Sequence, residues 1–464
     1  MPNVAFLKSE PADNEFFEEY NKFNTPCNSW FILVFILRCF AAFCLGYQVG
    51  VFESRGGVKA YIREYNYSSY AETEMANETN PEVLQMSTEK SLIVRMLKFK
   101  HLGFALGAAF GGVFADIFGR RITSFLTSVV WIIGAGVFPT LNNITLIEIW
   151  YVLLTTCASV VNVTTFVNIA EIINYRYRIL IIYSINTYVA GDFLIKYITT
   201  TLESWKYALT FVTSTLTCTV FATWYSPESP RWLLNKNRRQ EAYDQLSDIS
   251  QRIYDIQVVE APNNVTKMKI LVDMMKYLFK RRLKQHLVCN VLLSVSSLNY
   301  SFSKQNLIMH TVKTASYEDI ANIAEALGFL TFLPVYALIG KKYGLCFCFL
   351  FLTITHFTGI FVNDKAHEVF YDFFGTMLGI LSLCICWLYC LEYFPTFLRA
   401  TATGGGFYVF NLSSGLSFLF IPLLEETRGF IYYLTFFIIS LFGAVVFLLP
   451  VKPNQELSNT KLHL

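Results

Sequence analysis

Charge is scarce in this sequence. Only 15% of its 464 residues are Asp, Glu, Lys or Arg, too few to coat an ordinary soluble domain, and 54% are hydrophobic, too many for one to bury. Stretches long enough for a separate soluble domain are also missing, because apolar runs of about 20 residues, the length that crosses a hydrocarbon core as a helix, recur about a dozen times. The net charge of +3 is carried in connections between these runs, with no basic face for a nucleic-acid partner. Of eleven cysteines, ten lie in or beside apolar runs, which argues against a disulfide framework. Cys384, Cys386 and Cys390 share one apolar run with no histidine beside them, so they read as packing residues and not as a metal site. The polar, acidic start MPNVAFLKSEPADNEFFEEYNKF is unlike a cleavable signal peptide. No nucleophile, metal or phosphate motif stands out, so no catalytic residue and no cofactor is expected, and the chain does not read as an enzyme.

What remains is an all-α membrane protein with twelve transmembrane helices. In lipid, every backbone polar group must be satisfied internally, and helices do this segment by segment. The runs fall at about residues 30–51, 101–118, 122–140, 145–169, 179–202 and 206–226, then 286–304, 319–339, 345–363, 369–391, 401–424 and 430–450. This divides the chain into an N-terminal segment (1–28), a first six-helix half (29–226), a linker (227–285), a second six-helix half (286–450) and a tail (451–464). Residues 53–93 hold four Lys/Arg against seven Asp/Glu, whereas 227–285 hold twelve against seven. The positive-inside rule therefore places the linker in the cytoplasm, and an even number of crossings puts both termini there too. The first stretch is then outside, where Asn66 and Asn77 sit in glycosylation sequons. In the linker, apolar residues spaced by three and four from Ala242 to Ile256 and from Met268 to Leu278 predict two short amphipathic helices on the membrane surface; the second ends in the basic run Lys280–Lys284.

The halves carry a repeated signal. Glu171 and Arg178 are seven residues apart at the end of the fourth run, and so are Glu392 and Arg399 at the end of the tenth, which argues for a duplicated unit. The stretch GGVFADIFGRR, Gly111 to Arg121, also stands out. Its glycines permit close helix approach, Asp116 sits where a helix leaves the bilayer, Gly119 allows a sharp turn, and Arg120 and Arg121 anchor that turn on the inner side. An acid so placed can accept hydrogen bonds from a neighbouring helix start and pair with an arginine, and both interactions break when helices rock apart. Such chemistry suits a switch.

These residues, with GYQVG at Gly46–Gly50, PESPRWLL at Pro227–Leu234 and WLYCLEYFPTFLR at Trp387–Arg399, resemble the major facilitator superfamily, and within it most the sugar porters. PESPR and the E-x-F-P-T-x-x-R run are equally typical of organic ion transporters. The resemblance implies two pseudo-symmetric six-helix halves around a central site near the bilayer midplane, and transport of a small polar solute, most similar to a hexose carrier, by alternating access. It further implies that Glu171, Arg178, Glu228, Arg231, Glu392 and Arg399, with Arg120 and Arg121 as partners, form a cytoplasmic charge network that latches the inner gate. Exposed ion pairs contribute only about 0 to 1 kcal/mol each, so several would have to break together to bias two states. For the solute, the family's positions fall on Asn186, Asn299, Trp387 and, one residue out of register, Asn411, with Ser296 beside them.

Departures from the family pattern set further expectations. Gln48 and Tyr151 stand where proton-coupled porters carry an acid and an arginine, which favours facilitated diffusion. Asp192 and Lys196, four apart in the fifth run, form either a structural pair or a different coupling site. Arg38 has no evident partner. Aligning Gly344 with Gly119 makes the second half's version of the opening turn, Gly340–Gly344, lack both acid and arginines, so the latch is expected to lean on the first half. The alternatives are an organic ion or proton-coupled carrier, and a non-transporting nutrient sensor on the same fold, which the short tail disfavours. The partners expected are a solute and the lipid bilayer, with the plasma membrane as location; the sequence leaves the oligomeric state open.

Overall fold

A computed structural model describes residues 29–53, 81–141, 143–173, 179–202, 205–250, 276, 283–311, 317–361, 365–394, 396–426 and 430–447. The described secondary structure is helical. The helices are α1 (Ser29–Glu53), α2 (Pro81–Phe118), α3 (Arg120–Val137), α4 (Ile144–Ile172), α5 (Ile179–Leu202), α6 (Trp205–Tyr225), the short α7 (Pro230–Asn235) and α8 (Arg239–Ser250), then α9 (Leu283–Thr311), α10 (Tyr317–Gly359), α11 (Lys365–Tyr393), α12 (Thr396–Glu426) and α13 (Phe430–Phe447). A helix stands at each of the twelve expected positions, with α10 covering two of them across a break at Gly340. Among the described residues, five stretches, in α2, α3, α4, α10 and α11, are long and apolar enough to cross a membrane by length and composition alone.

Local chemistry sets several boundaries. Asn143 caps α4 by accepting from the Thr145 amide at 3.0 Å, and Ser229 caps α7 by accepting from the Trp232 amide at 3.2 Å, with Pro230 in the first helical position. Helix α2 begins twenty residues before the apolar run expected at 101–118, at Pro81; the stretch apolar enough to cross a membrane itself starts at Ser91, with Leu92, Ile93, Met96 and Leu97 buried between the charged residues that interrupt it. Within the spans, hydroxyls close on their own helix. Thr155, Thr156, Thr164 and Thr165 each donate to the carbonyl four residues back, at 2.7 to 2.8 Å, which satisfies them without a partner from lipid.

Helices α1 to α6 pack chiefly among themselves, α1 on α5 and α6, α2 on α4, and α3 on α4 and α6; α9 to α13 do the same, α10 on α11 and α13, and α9 on α11, α12 and α13. Between the two halves, α2 lies along α12 and α5 against α10. Small residues make the α2–α12 contact close: a Cβ on Gly112 would fall on the carbonyl of Ala400, and one on Gly404 on the carbonyl of Ala108. In the linker, the expected first amphipathic helix is α8. Its Ala242 and Leu246 pack on Trp232, Leu233 and Leu234 of α7. The second expected helix, from Met268 to Leu278, lies outside the described residues apart from residue 276.

Candidate functional site

The turn between α2 and α3 is built on Gly119, whose φ of 111° lies in the left-handed region that favours glycine. A Cβ there would also come within 2.5 Å of Glu228 Oε2. Glu228 lays its carboxylate across the start of α3, accepting from the amides of Arg120 at 2.9 Å, Arg121 at 3.2 Å and Ser229 at 3.0 Å. Gly119 has no side chain with which to cap α3, so an acid 108 residues from Arg120 supplies the cap. Burial raises the Glu228 carboxyl above the ordinary carboxylate range, and Arg120 with the three amides opposes that rise.

Behind this turn is a fully buried ion cluster. Arg120 donates to Asp116 Oδ1 at 2.8 Å, to both oxygens of Glu171 at 3.0 and 3.2 Å, and to the carbonyls of Ala115 and Thr396 at 3.1 and 3.0 Å. Arg399, from the other half, donates to Glu171 Oε1 at 3.1 Å and to the carbonyls of Leu391 and Phe394. The second Asp116 oxygen accepts from the Thr401 amide at 2.7 Å and its hydroxyl at 2.8 Å, near the start of α12. Glu171 is therefore shared by one arginine from each half, and Asp116 bridges α2 to α12. Asp116, Arg120, Glu171 and Arg399 are each at most 2% exposed, so the small energies of exposed ion pairs do not apply. Removing one partner from a buried pair costs about 3 to 5 kcal/mol.

Two residues expected in the network, Arg121 and Glu392, are placed differently. Arg121 lies at the rim, where it donates to the Trp224 carbonyl at 2.6 Å and sits over that indole at 5.6 Å. Arg231 stands half-buried on α7. Glu392 pairs with Lys341. Arg178 lies outside the described residues, as do Asn66 and Asn77.

The Lys341–Glu392 pair corrects the alignment of the second turn. Its left-handed glycine is Gly340, with φ 79°, not Gly344. Matching Gly340 to Gly119 puts Lys341 and Lys342 on the positions of Arg120 and Arg121, and Ala337 on that of Asp116. Lys341–Glu392 is then the counterpart of Arg120–Glu171. The basic residues of the motif are kept as lysines and the acid is lost, so one asymmetry of the latch lies in Asp116. It also differs in burial: Lys341 and Glu392 are 27% and 26% exposed, whereas Arg120 and Glu171 are fully enclosed.

A cavity opens between the halves on the far side of this cluster, with about 990 Å³ of open space including its mouth. Asn411, on its wall, is ten residues beyond Thr401 on α12, which at 1.5 Å per residue is roughly 15 Å from the ion cluster, half of a hydrocarbon core about 30 Å thick. Of the four expected solute residues, the structure brings two to the wall, Trp387 and Asn411. Trp387 stacks on Phe407 at 5.4 Å and meets Phe410 edge-on. Among the described residues its Nε1 and the Oδ1 of Asn411 are both buried without a partner, an orphan donor and an orphan acceptor at the wall of one cavity. Asn299 is turned into the core, donating to the Val295 carbonyl and accepting from Ser440 Oγ at 2.9 Å, with His356 Nε2 at 3.1 Å. Ser296 contacts Cys386, and Asn186 is half-buried on α5 without lining the wall.

Sequence reasoning missed the charged part of the wall, which includes Lys100, His101, Lys304 and Glu325. Lys304 Nζ donates to Glu325 Oε2 at 2.8 Å, and the Tyr300 hydroxyl to Oε1 at 2.7 Å. Lys100 precedes an expected apolar run and Lys304 ends one, so both read as flanks. The helices continue past them, α2 from Pro81 and α9 to Thr311, which puts these charges inside the bundle.

Nearer the far end of α5, Lys196 pairs with Asp192 at 2.7 Å. With its amide oriented to suit both, Asn322 of α10 donates to Asp192 Oδ2 and accepts from Lys196 Nζ, each at 3.1 Å. A polar link thus joins the halves there as well. At the expected proton-coupling positions, Gln48 accepts from Trp131 Nε1, and Tyr151 stacks on Phe138.

Two helical halves, a cavity between them and a buried ion cluster that joins the halves beside it define a multi-pass membrane transporter of the major facilitator type. The chain belongs to the sugar (and other) transporter family, which it matches over residues 34–458, a family of transporters and not of enzymes. It is 24% identical over 399 residues to the glucose transporter GlcP of Staphylococcus epidermidis, covering 80% of this chain and 86% of that one. It is also 24% identical over 383 residues to solute carrier family 22 member 1 of Bos taurus, covering 78% and 66%. Its fold resembles that of the proton:xylose symporter XylE bound to 6-bromo-6-deoxy-D-glucose, with a TM-score of 0.68 at 15% identity over 90% of this chain and 95% of that one. It likewise resembles the human organic anion transporter MFSD10, with a TM-score of 0.60 at 13% identity over 90% and 98%.

Proposed function

We propose that this protein moves a small polar solute across the plasma membrane by alternating access, with the cavity as the solute site and the Gly119 face as its cytoplasmic side. The observation that carries the reading is the pair of orphan groups, Trp387 Nε1 and Asn411 Oδ1. Groups left unmet in a buried wall are costly unless a ligand supplies their partners. On this reading the Asp116–Arg120–Glu171–Arg399 cluster is the inner latch, closed here, and Asp192–Lys196–Asn322 is a contact on the outer side.

A hexose is the first solute reading. It draws on the likeness to GlcP, on the stacked Trp387 as a face for a sugar ring and on the amide of Asn411. Facilitated diffusion goes with it, because Gln48 and Tyr151 offer no acid–arginine pair. An organic ion is the second reading, favoured by Lys100, Lys304 and Glu325 at the wall. Uptake of labelled glucose into proteoliposomes, with and without a pH gradient, tests both points. Uptake that is saturable and indifferent to the gradient is expected; no hexose uptake would remove the first reading, and acceleration by an inward proton gradient would remove facilitated diffusion.

A further inference from the structure

The cavity wall carries a polar seam that neither the latch nor the four expected solute residues use. Ser301 and Gln305 of α9 line the cavity, and both are 4% exposed. Behind them, Ser297 on the same helix and Ser414 and Ser417 on α12 are fully buried. Helices α9 and α12 belong to one half and pack directly on each other, so the geometry of the seam is set within that half.

The hydroxyls fix one another's proton directions. Ser297 donates to the Phe410 carbonyl at 2.8 Å, and a carbonyl can only accept, so the one hydrogen of Ser297 is committed there. Ser414 is then the donor in its 2.9 Å contact with Ser297, and Ser301 donates to Ser414 at 2.6 Å. The relay begins on the wall at Ser301, whose hydrogen points into the seam and whose lone pairs receive no bond among the described residues. Ser301 therefore offers the cavity an acceptor. Gln305 offers the reverse. The Ser417 hydroxyl donates to Gln305 Oε1 at 2.9 Å, a hydrogen shared with the Ser414 carbonyl at 2.6 Å. Gln305 Nε2 faces that same carbonyl at 3.4 Å, which fixes the orientation of the amide. Its second N–H finds no acceptor among the described residues, so Gln305 presents a donor.

Ser301 and Gln305 are four residues apart on α9, which puts their Cβ atoms about 5 to 6 Å apart on one face. Two hydrogen bonds of about 2.8 Å placed end to end span the same gap, so one oxygen that gives a bond and takes a bond bridges the pair. Trp387 Nε1 and Asn411 Oδ1 repeat the combination, an unmet donor and an unmet acceptor on the same wall among the described residues. Asn411 is three residues from Ser414 and six from Ser417 on α12, roughly 5 to 9 Å along the helix. Such a spacing suits the two ends of one sugar ring. A carboxylate only accepts and an ammonium only donates, so either leaves half of each pair unmet; a hydroxyl satisfies both halves. We propose that Ser301 and Gln305 bind one hydroxyl of the solute while Trp387 and Asn411 bind another, and that the solute is a ring with hydroxyls at opposite ends, a sugar or a cyclitol. Ser297, Ser414 and Ser417 are positioning residues that hold the donor and acceptor directions. The proposal rests on the cavity being the transport site, and goes beyond that reading in adding Ser301 and Gln305 and in fixing the chemistry they recognise.

Glucose, myo-inositol and tetraethylammonium are the probes, with the deoxy and deoxyfluoro analogues of both rings. Binding is measured by titration calorimetry of the purified full-length protein and uptake in proteoliposomes. A deoxyfluoro analogue keeps an acceptor and loses the donor, whereas a deoxy analogue loses both. At two hydroxyl positions the deoxy analogue should bind the wild-type protein about ten-fold more weakly than the parent ring. At one of them the deoxyfluoro analogue should bind Ser301→Ala as well as the parent does, and the deoxy analogue should bind the double variant Ser301→Ala with Gln305→Leu as well as the parent does. A packing defect would weaken all three ligands together and leave their ratios unchanged. Full sensitivity to every hydroxyl in the double variant would overturn the proposal and leave the transport reading intact, as would uptake of tetraethylammonium without binding of either ring. The expected ratios with no uptake of any probe would support the hydroxyl site and overturn the transport reading. Binding of neither glucose nor myo-inositol would overturn the proposal. If the variants do not fold, the wild-type series still decides, because sensitivity at fewer than two hydroxyls contradicts two donor–acceptor pairs.

Discussion

Replacing Glu171 by glutamine takes one negative charge from a buried cluster in which Asp116 and Glu171 balance Arg120 and Arg399. The side chain keeps its shape and one acceptor. Arg120 retains Asp116 at 2.8 Å, whereas Arg399 retains only the carbonyls of Leu391 and Phe394. The bonds from Arg120 to Glu171 lie within one half and persist whichever way the protein faces. The bond from Arg399 crosses between the halves, so its weakening acts on the closed latch alone. A hydrogen bond to a charged group contributes about 1.5 to 3 kcal/mol, so the closed-to-open ratio should fall roughly 10- to 150-fold. The positive charge left unbalanced in a dry site pushes the same way, since opening hydrates it. Spin labels at Ile122→Cys and Tyr343→Cys, near the Gly119 and Gly340 turns, report the separation of the halves once the accessible native cysteines are replaced by serine. A longer distance should dominate in Glu171→Gln. An unchanged distance distribution in a folded variant would refute the latch.

Other consequences are independent of that one. Gly119→Ala places a Cβ at positive φ and against Glu228, and should lower stability by about 1 to 3 kcal/mol in a thermal-unfolding assay. Lys341→Glu should weaken the second-half pair and the double exchange Lys341→Glu with Glu392→Lys should recover it; being partly exposed, the pair should show a coupling of about 0.2 to 1 kcal/mol in a double-mutant cycle of thermal stability. Asn322→Ala removes the link from α10 to Asp192 and Lys196, and should raise the labelling rate of a cysteine placed at Phe329 on the cavity wall by an impermeant reagent applied from the outer side. Asn411→Leu removes the orphan acceptor without a large change in volume, and should lower the affinity for a transported solute about five- to fifty-fold while leaving unfolding temperature unchanged or higher.

The sequence alone determined where the helices run, because crossing lipid demands long apolar stretches whose backbone is satisfied locally, and that demand is written residue by residue. It also marked Asp116, Gly119 and Arg120 as a switch, since a charged turn joined to a glycine-rich apolar helix has few other uses. Tertiary structure decided which charges meet. That Glu171 serves Arg120 and Arg399 together, and that Glu392 turns to Lys341, depends on helix positions that bring residues 228 and 51 places apart into one shell. The second turn needed a backbone angle, for only the positive φ at Gly340 shows which glycine corresponds to Gly119. The cavity depended on it most. Asn299 and Asn411 are the same amide on two helices of the second half, and their neighbours across the bundle turn one into the core and leave the other with an unmet oxygen at the wall. Lys100 and Lys304 were visible as letters, but whether a charge at the margin of a span lies in water or inside the bundle depends on how far the helices continue and what they pack against.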